Sequence, residues 1–188
     1  VRMNINGDSA HGKRSWVQSF EIRKDPRILT TQGQFKEQFD FLIKIRDKVT
    51  EAHDAVNAIR DIRNQTNDLV KRLEKHPKKD TIGSLSKKLN DSLKAVEEEI
   101  IQTKIKAGQD ALNYPIKLNN KIAALVDVVA SADTKPTQQS YDVFNELSAK
   151  LDTHLAKYKR ITETDLITFN KTVRELEVPA VIIKSKEK

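Results

Sequence analysis

Four histidines are the residues of this 188-residue chain that could most readily bind a metal or transfer a proton: His11, His53, His76 and His154. None has a second histidine or an acidic pair at the spacing of a metal-binding motif, and the chain has no cysteine. His53 and His154 each lie near the middle of a long predicted helix, so they could meet in a helical core. The alternative, two half-buried histidines hydrogen-bonded to their neighbours, needs no further ligands. The sequence therefore predicts no metal site.

Three polar residues interrupt the predicted apolar faces of long helices. Arg63 and Thr66 interrupt the first helix, and Asp165 interrupts the last. A buried arginine requires a carboxylate partner, because an unpaired charge is costly in a core. If the two long helices run parallel, Arg63 should approach Asp165, and the two mid-helix histidines should lie at one level. If they run antiparallel, Arg63 should approach Glu146 or Asp152. In either case the predicted role is to set the register of the helices.

The remaining candidates for catalysis are carboxylates, and their spacing does not favour an active site. Glu97, Glu98 and Glu99 are consecutive, so on a helix they point in different directions and are predicted to be solvated. A glycosidase needs two carboxylates that face each other across a cleft. Glycine-rich phosphate loops, a nucleophile elbow and a Walker lysine are also missing from the sequence. We therefore expect no catalytic or cofactor-binding residues, and no enzymatic activity in this fragment.

The segment 108–120 has the most unusual composition in the chain, since it combines amide side chains, a tyrosine and a proline between two predicted helices. Its asparagines and aspartate could simply cap helix ends. They could also form a recognition loop, because polar loops on a rigid scaffold often carry binding. The residues of this candidate interaction loop are Gln109, Asp110, Asn113, Tyr114, Asn119 and Asn120.

The elements that position these residues are predicted to be helices, of which the first is the clearest. A seven-residue apolar pattern runs from residue 35 to residue 73 and predicts one helix of about 40 residues, roughly 60 Å long. Thr30 or Thr31 is its predicted N-cap. One row of the pattern is Phe35, Leu42, Val49, Val56, Arg63 and Val70, and the other is Gln38, Ile45, Ala52, Ile59, Thr66 and Leu73.

Three further helices are predicted from apolar stripes of helical period, at about 81–106, 115–132 and 137–177. The first and last helices each have about 40 residues, and the middle two together have nearly the same length. The fold class is therefore mainly α, an elongated up-down bundle of four helices. The second and third helices are either separate members of the bundle or one limb with a break, and the matched lengths favour the broken limb.

The two ends of the chain have different patterns from the bundle. Residues 1–28 alternate apolar and polar side chains with a turn signal between, which predicts a β-hairpin left from an upstream β-domain. Residues 29–178 are the predicted helical bundle, and residues 179–188 an extended tail. The chain begins in the middle of a strand pattern, so we interpret it as part of a larger protein.

Charge and hydropathy exclude two classes of partner. The net charge is +7, but residues 1–30 and 179–188 contribute +5 of it, so the bundle carries 25 basic and 23 acidic residues. Nucleic-acid binding requires basic side chains gathered on one face, so it is not expected. No apolar run approaches the ~20 residues that cross a membrane. Binding of another protein, or of a second copy of the chain, is left open.

Several stretches resemble the C-terminal region of a bacterial family, the large sortilin-like β-propeller proteins known as BNR-repeat or Asp-box glycosyl hydrolases. The resemblance covers roughly residues 20–178, and its distinctive parts are 112–120 and 136–141. It is carried by Asp25-Pro26-Arg27, by Phe39-Asp40-Phe41-Leu42 with Ile45-Arg46-Asp47-Lys48-Val49, and by Leu112-Asn113-Tyr114-Pro115-Ile116-Lys117-Leu118-Asn119-Asn120 and Pro136-Thr137-Gln138-Gln139-Ser140-Tyr141.

The resemblance implies an exported protein of the periplasm, cell envelope or medium, in which a propeller and a small β-domain precede this helical part. Those upstream domains would be its first partners. The Asp-box repeats have no counterpart in this sequence, so the resemblance transfers no catalytic residue. We expect a non-catalytic scaffolding or partner-binding module. The alternatives are an accessory module that supports the propeller's site in a glycoside hydrolase, and an oligomeric coiled-coil adaptor.

Overall fold

A computed structural model describes residues 2–3, 16–17 and 19–178 of the chain. The described part is all-α apart from one short strand pair, with the helices packed together around a single aliphatic core. The elements are β1 (Arg2–Met3), β2 (Trp16–Val17), α1 (Gln32–Arg72), α2 (Lys79–Ile100), α3 (Leu118–Val129), α4 (Gln138–Arg160) and α5 (Leu166–Glu175). A 3₁₀ turn at Gly108–Leu112 lies between α2 and α3, and a π-helical turn at Ile161–Asp165 joins α4 to α5 without a break.

The predicted β-hairpin is not supported. β1 and β2 are antiparallel but have two residues each, with Arg2 opposite Val17. Residues 19–31 form no strand, and the side chain of Ile22 is 83% exposed. The alternating residues of this segment have no apolar surface to pack against. A pair of strands with only a few ladder hydrogen bonds is marginally stable in water. The other residues of the predicted hairpin, and the predicted tail at 179–188, lie outside the described residues.

α1 begins where the sequence predicts, at a capping box. The Thr31 hydroxyl accepts a hydrogen bond from the Gln34 backbone N–H at 3.3 Å. The Gln34 side-chain carbonyl in turn accepts from the Thr31 backbone N–H at 2.8 Å. Two backbone donors that the first turn leaves without helical partners are thereby satisfied. The helix is 41 residues long, in agreement with the predicted length.

The heptad pattern correctly identifies the face of α1 that enters the core. Every member of the row from Gln38 to Leu73 is buried, whereas most members of the row from Phe35 to Val70 are partly exposed at its border. Gln38 is one of the two polar members of this buried row, with Thr66, and it has a defined role. Its side-chain amide donates to the backbone oxygens of Val129, at 2.6 Å, and Ala132, at 2.7 Å. These carbonyls at the end of α3 lack helical partners.

Two sets of contacts show that α2 and α3 run antiparallel to α1, one after the other along its length. On α2, Asn90 accepts a hydrogen bond from Thr66 at 2.9 Å, and Glu97 contacts the preceding turns of α1. α3 continues towards the start of α1, where its last turn meets Gln38. The second and third predicted helices therefore lie end to end beside α1.

α4 runs parallel to α1, as the broken-limb arrangement predicts. Near the start of both helices the ring of Phe41 lies 4.2 Å from that of Tyr141, measured between centroids. Further along, Lys48 forms an ion pair with Asp152. The distal half of α1 faces a groove shared with Phe169 of α5. The order of these contacts is the same in both helices, so the antiparallel alternative is wrong.

The π-helical turn explains why Asp165 interrupts the apolar stripe. Ile161 and Phe169 are buried and Leu166 packs against the same core, so consecutive core residues stand five apart across Thr162–Asp165. An α-helix presents the same face every three or four residues, whereas a π-helical turn accommodates five. The turn therefore keeps both halves of the long helix facing the core.

A Schellman motif ends α5. The Val178 N–H bonds to the Val173 carbonyl at 3.5 Å, and the Glu177 N–H bonds to the Arg174 carbonyl at 2.9 Å. Val173 and Val178 both pack against the core, as the motif usually requires. Glu177 occupies the left-handed position with φ of 53°, where glycine is the usual residue. The end of the bundle is thus well defined but carries local strain.

No helix of the described residues has both the length and the apolar character needed to cross a bilayer.

Candidate functional site

The candidate interaction loop lies midway along the bundle, where α2 has ended and α3 has not yet begun. α2 ends at Ile100, six residues before the predicted end, and α3 begins at Leu118. The break between the two helices therefore covers residues 101–117, here called the loop 101–117, and it is longer than the sequence predicts. It is the largest interruption of regular structure between residues 32 and 175.

Asp110 organises this loop from within. Its carboxylate accepts hydrogen bonds from the backbone N–H groups of Lys106, at 2.8 Å, and Ala107, at 2.9 Å. These bonds hold the pKa of the Asp110 carboxyl below its usual range. Its backbone carbonyl also accepts from the N–H groups of Asn113 and Tyr114, both at 3.0 Å. Asp110 is therefore a capping residue of the loop, as one of the two sequence interpretations proposes.

Two further contacts tie the loop to its own ends. The Gln102 side-chain amide donates to the Pro115 carbonyl at 2.9 Å, which closes the base of the loop. The Lys104 ammonium lies 5.6 Å from the centre of the Tyr114 ring, within the range of a cation–π contact. Tyr114 is half-buried by this arrangement and does not extend freely into solvent.

The residues that the loop presents outwards are only partly those that the sequence selects. Gln109, Asn113 and Asn120 are exposed, and their side chains make no hydrogen bond to any other described residue. Leu112 is also exposed, at 86%, although it was not among the candidates. Its apolar side chain inside a polar segment is the signal that could have identified it.

Asn119 belongs to the helix interface and not to an exposed loop. It lies in the first turn of α3 and is only 7% exposed. Its Nδ2 lies 3.3 Å from His53 Nε2, which can accept a hydrogen bond when the ring proton is on Nδ1. The Asn119 Oδ1 atom is buried, and no residue in the described part of the chain donates a hydrogen bond to it. Asn119 therefore joins α3 to α1, and it does not lie on the exposed side of the loop.

His53 and His154 are level with each other, as the parallel arrangement predicts, but they contact different residues. His53 is largely exposed and contacts Asn119, whereas His154 is half-buried beside Lys117 and Leu118. Burial is the largest of the causes that lower the pKa of His154, followed by the positive charge of Lys157. No group of three or more potential metal ligands occurs among the described residues.

Arg63 has a carboxylate partner, but the partner is none of the three that the sequence suggests, Asp165, Glu146 and Asp152. It pairs with Glu97 on α2, and Arg60 donates to the same carboxylate at 2.6 Å. Glu97 is only 3% exposed, so its predicted solvation is wrong. The missed signal is its position four residues after Leu93 and three before Ile100, which places it on the apolar stripe of α2.

Searches of protein families, curated proteins and solved structures find no match for this chain. The fold and the loop define the protein as a helical bundle with an ordered surface loop at its midpoint. The resemblance to sortilin-like propeller proteins remains a prediction.

Proposed function

We propose that this chain is a non-catalytic helical module that binds a partner through the exposed side of the loop 101–117. The observation that supports this proposal is the combination of internal order and outward exposure in one segment. Asp110 and Gln102 hold the backbone, while Gln109, Leu112 and Asn113 are free to contact another molecule.

Such an arrangement suits binding because the loop is ordered before the partner arrives. A loop that is already held in one conformation loses less entropy on association than a flexible one. The helices α2 and α3, which flank the loop and pack against α1 and α4, provide a rigid support. An exposed leucine surrounded by amides offers both an apolar anchor and directional hydrogen bonds, the composition of a partner-binding surface.

The resemblance to the propeller family supports a specific context for this module. It would follow a propeller and a small β-domain in an exported protein, and it would either orient those domains or connect them to a further protein. Two alternative roles differ from this proposal in what the loop contacts. In an accessory module the loop would contact the propeller near its site, and in an oligomeric adaptor it would contact a second copy of the chain.

The test is site-specific photo-crosslinking in cells that produce the full-length protein. A photoreactive amino acid in place of Asn113 should give a defined crosslink, identified by mass spectrometry, to an upstream domain or to another protein. The matched control is the same amino acid in place of Lys44, an exposed residue of α1. The purified partner should bind the Leu112→Ser variant at least fivefold more weakly, because the apolar anchor is lost.

Equal crosslinking from both positions, or none from position 113, would contradict the proposal. A crosslink to a second copy of the same chain would favour the oligomeric adaptor. Turnover of a glycoside by this chain, lost on replacing one of its carboxylates, would show that the module is not purely a binding module.

A further inference from the structure

A second feature of the same region is a cleft of about 310 Å³ between the start of α3 and the middle of α4. It opens where the break between α2 and α3 leaves α4 uncovered. Its walls carry Glu99, Ile116, Lys117, Lys121, Lys150 and His154. Neither Arg63 nor Glu97 lines it, so it is separate from the buried ion pairs of the core.

The cleft carries an excess of positive charge in a bundle that is otherwise nearly balanced. Three lysines line it against one glutamate. The Nζ atom of Lys117 lies 3.6 Å from Oε1 of Glu99, and Lys150 is paired with Glu146 on the exposed face of α4. Lys121 has no acidic partner among the described residues. Ion pairs of this kind at a protein surface are weak. A ligand carboxylate can therefore replace the acidic partner of either lysine at little cost in free energy.

The backbone at the start of α3 adds further positive charge to the cleft. Lys117 precedes α3 at the N-cap position but provides no side-chain hydrogen bond to the first turn. No side chain of the described residues caps the N–H groups of that turn, and the helix dipole places a partial positive charge there. The lysines of the cleft and the start of α3 thus attract the same kind of group.

One wall of the cleft is apolar. Pro115 and Ile116 both line it, and Ile116 is 43% exposed. An exposed branched side chain beside a group of lysines favours a ligand in which an apolar residue adjoins a negative charge. A purely polar ligand would leave that wall unused.

We propose that this cleft binds an acidic side chain from a peptide segment of the partner protein, with an adjacent apolar residue of that segment against Ile116. The proposal rests on the proposed function, since it names the chemistry of the partner that the neighbouring loop would contact. Lys121 is the central ligand for the carboxylate, and Lys117 and Lys150 provide the surrounding positive potential.

His154 provides an independent readout of this binding. Its ring lies among charged groups from three elements: Glu99 in the last turn of α2, Lys117 and Lys121 at the start of α3, and Lys150 and Lys157 on α4. Burial and the neighbouring lysines lower the pKa of His154 in the free protein. A carboxylate bound nearby favours the protonated ring and should raise that pKa.

The experiment uses the whole chain and a defined probe, the acetylated peptide Gly-Leu-Glu-Glu-Leu-Gly, titrated by NMR at low ionic strength. Amide signals of residues 116–122 and of the turn around His154 should shift, and the pKa of His154 should rise. The Lys121→Glu variant should bind at least tenfold more weakly. The matched control is Lys44→Glu, which changes the net charge equally on an exposed face of α1.

Equal loss of binding in both variants would show a non-specific charge effect and overturn the proposal. Unchanged amide signals at residues 116–122 in the unaltered chain would also overturn it. If an oligomer of galacturonate binds there while the peptide does not, the ligand is an acidic glycan and the peptide assignment is wrong. Each of these results is independent of the crosslink from position 113, so a failed cleft leaves the loop proposal standing.

Discussion

Individual side chains that pair across helices decide how this bundle is assembled. Glu97 is almost fully buried and accepts hydrogen bonds from two arginines of α1. Both arginines keep part of their surface in water, which reduces the desolvation cost of the group. The Nε atom of Arg63 is nevertheless buried without a hydrogen-bond partner among the described residues, so the group is satisfied incompletely. Its main effect is to align α2 with α1 at one register.

We expect replacement of Glu97 by alanine to lower the free energy of unfolding by about 2 kcal/mol, because two charge-assisted hydrogen bonds are lost in a buried position. The partial exposure of Arg60 and Arg63 keeps the loss below that of a fully buried pair. Urea denaturation measures the change. The control is Glu98→Ala, whose exposed side chain lies 3.7 Å from Lys94 and should contribute no more than about 0.5 kcal/mol. Similar effects of the two substitutions would show that the ion pairs contribute little.

At the scale of elements, the long C-terminal helix departs from ideal geometry in two places. The π-helical turn inserts a residue so that Ile161 and Leu166 can both face the core. At the far end, Glu177 adopts a left-handed conformation that costs roughly 1 kcal/mol for a residue with a Cβ atom. The core contacts of Val173 and Val178 compensate for this strain.

Replacing Glu177 by glycine should therefore stabilise the protein by about 0.5–1 kcal/mol, because glycine adopts the left-handed conformation without strain. Thermal denaturation should show a higher Tm. The same substitution at Glu175, in the last turn of α5, should destabilise by about 1 kcal/mol because glycine is a poor helix former. A loss of stability in Glu177→Gly would mean that the Schellman motif does not form in solution.

The whole molecule is organised as three limbs, with α2 and α3 together opposite two long parallel helices. The parallel direction follows from the contacts of α1 with α4, which proceed in the same order along both. The middle limb contains a break because two shorter helices, α2 and α3, together cover the length of partner helices of about 60 Å. That break creates both the exposed loop and the positively charged cleft.

The parallel direction can be tested with paired cysteines, since the chain has none of its own. Cysteines in place of Lys48 and Asp152, whose side chains meet in the structure, should react efficiently with a short bis-maleimide within one molecule. The control pair, at Lys48 and Asn170, should not react, because Asn170 lies about 27 Å further along the helix. Mass spectrometry after proteolysis distinguishes the outcomes. Crosslinking of the control pair alone would require a different helix arrangement.

Much of the architecture is readable from local pattern. The heptads of α1 predict its length and its buried row, and Thr31 predicts its start, because periodicity and capping depend on residues within a few turns of each other. The apolar stripes of the later helices identify the core residues of those helices, including Ile82, Leu93 and Ile122. The hairpin prediction is not supported at residues 19–31, which form no strand, because period-two alternation specifies a strand only when a sheet is present to receive it.

The candidate site is predicted less well, for a physical reason. Asp110 caps the loop as one interpretation proposes, whereas Asn119 is buried and Leu112 is exposed. Exposure inside an irregular segment depends on where the neighbouring helices end, and α2 ends earlier than its sequence pattern suggests. A residue at the edge of a helix can face solvent or a neighbour with little change in its own backbone.

The sequence alone determined that this protein is a bundle of long helices with an aliphatic core and an irregular segment at its midpoint. Only the tertiary structure decided that Arg63 pairs with Glu97, that the two mid-helix histidines contact different residues, and that lysines gather beside His154. Partners on different helices are set by the rotation and axial shift of each helix. Those two quantities depend on many weak packing contacts together, and no short stretch of sequence contains them.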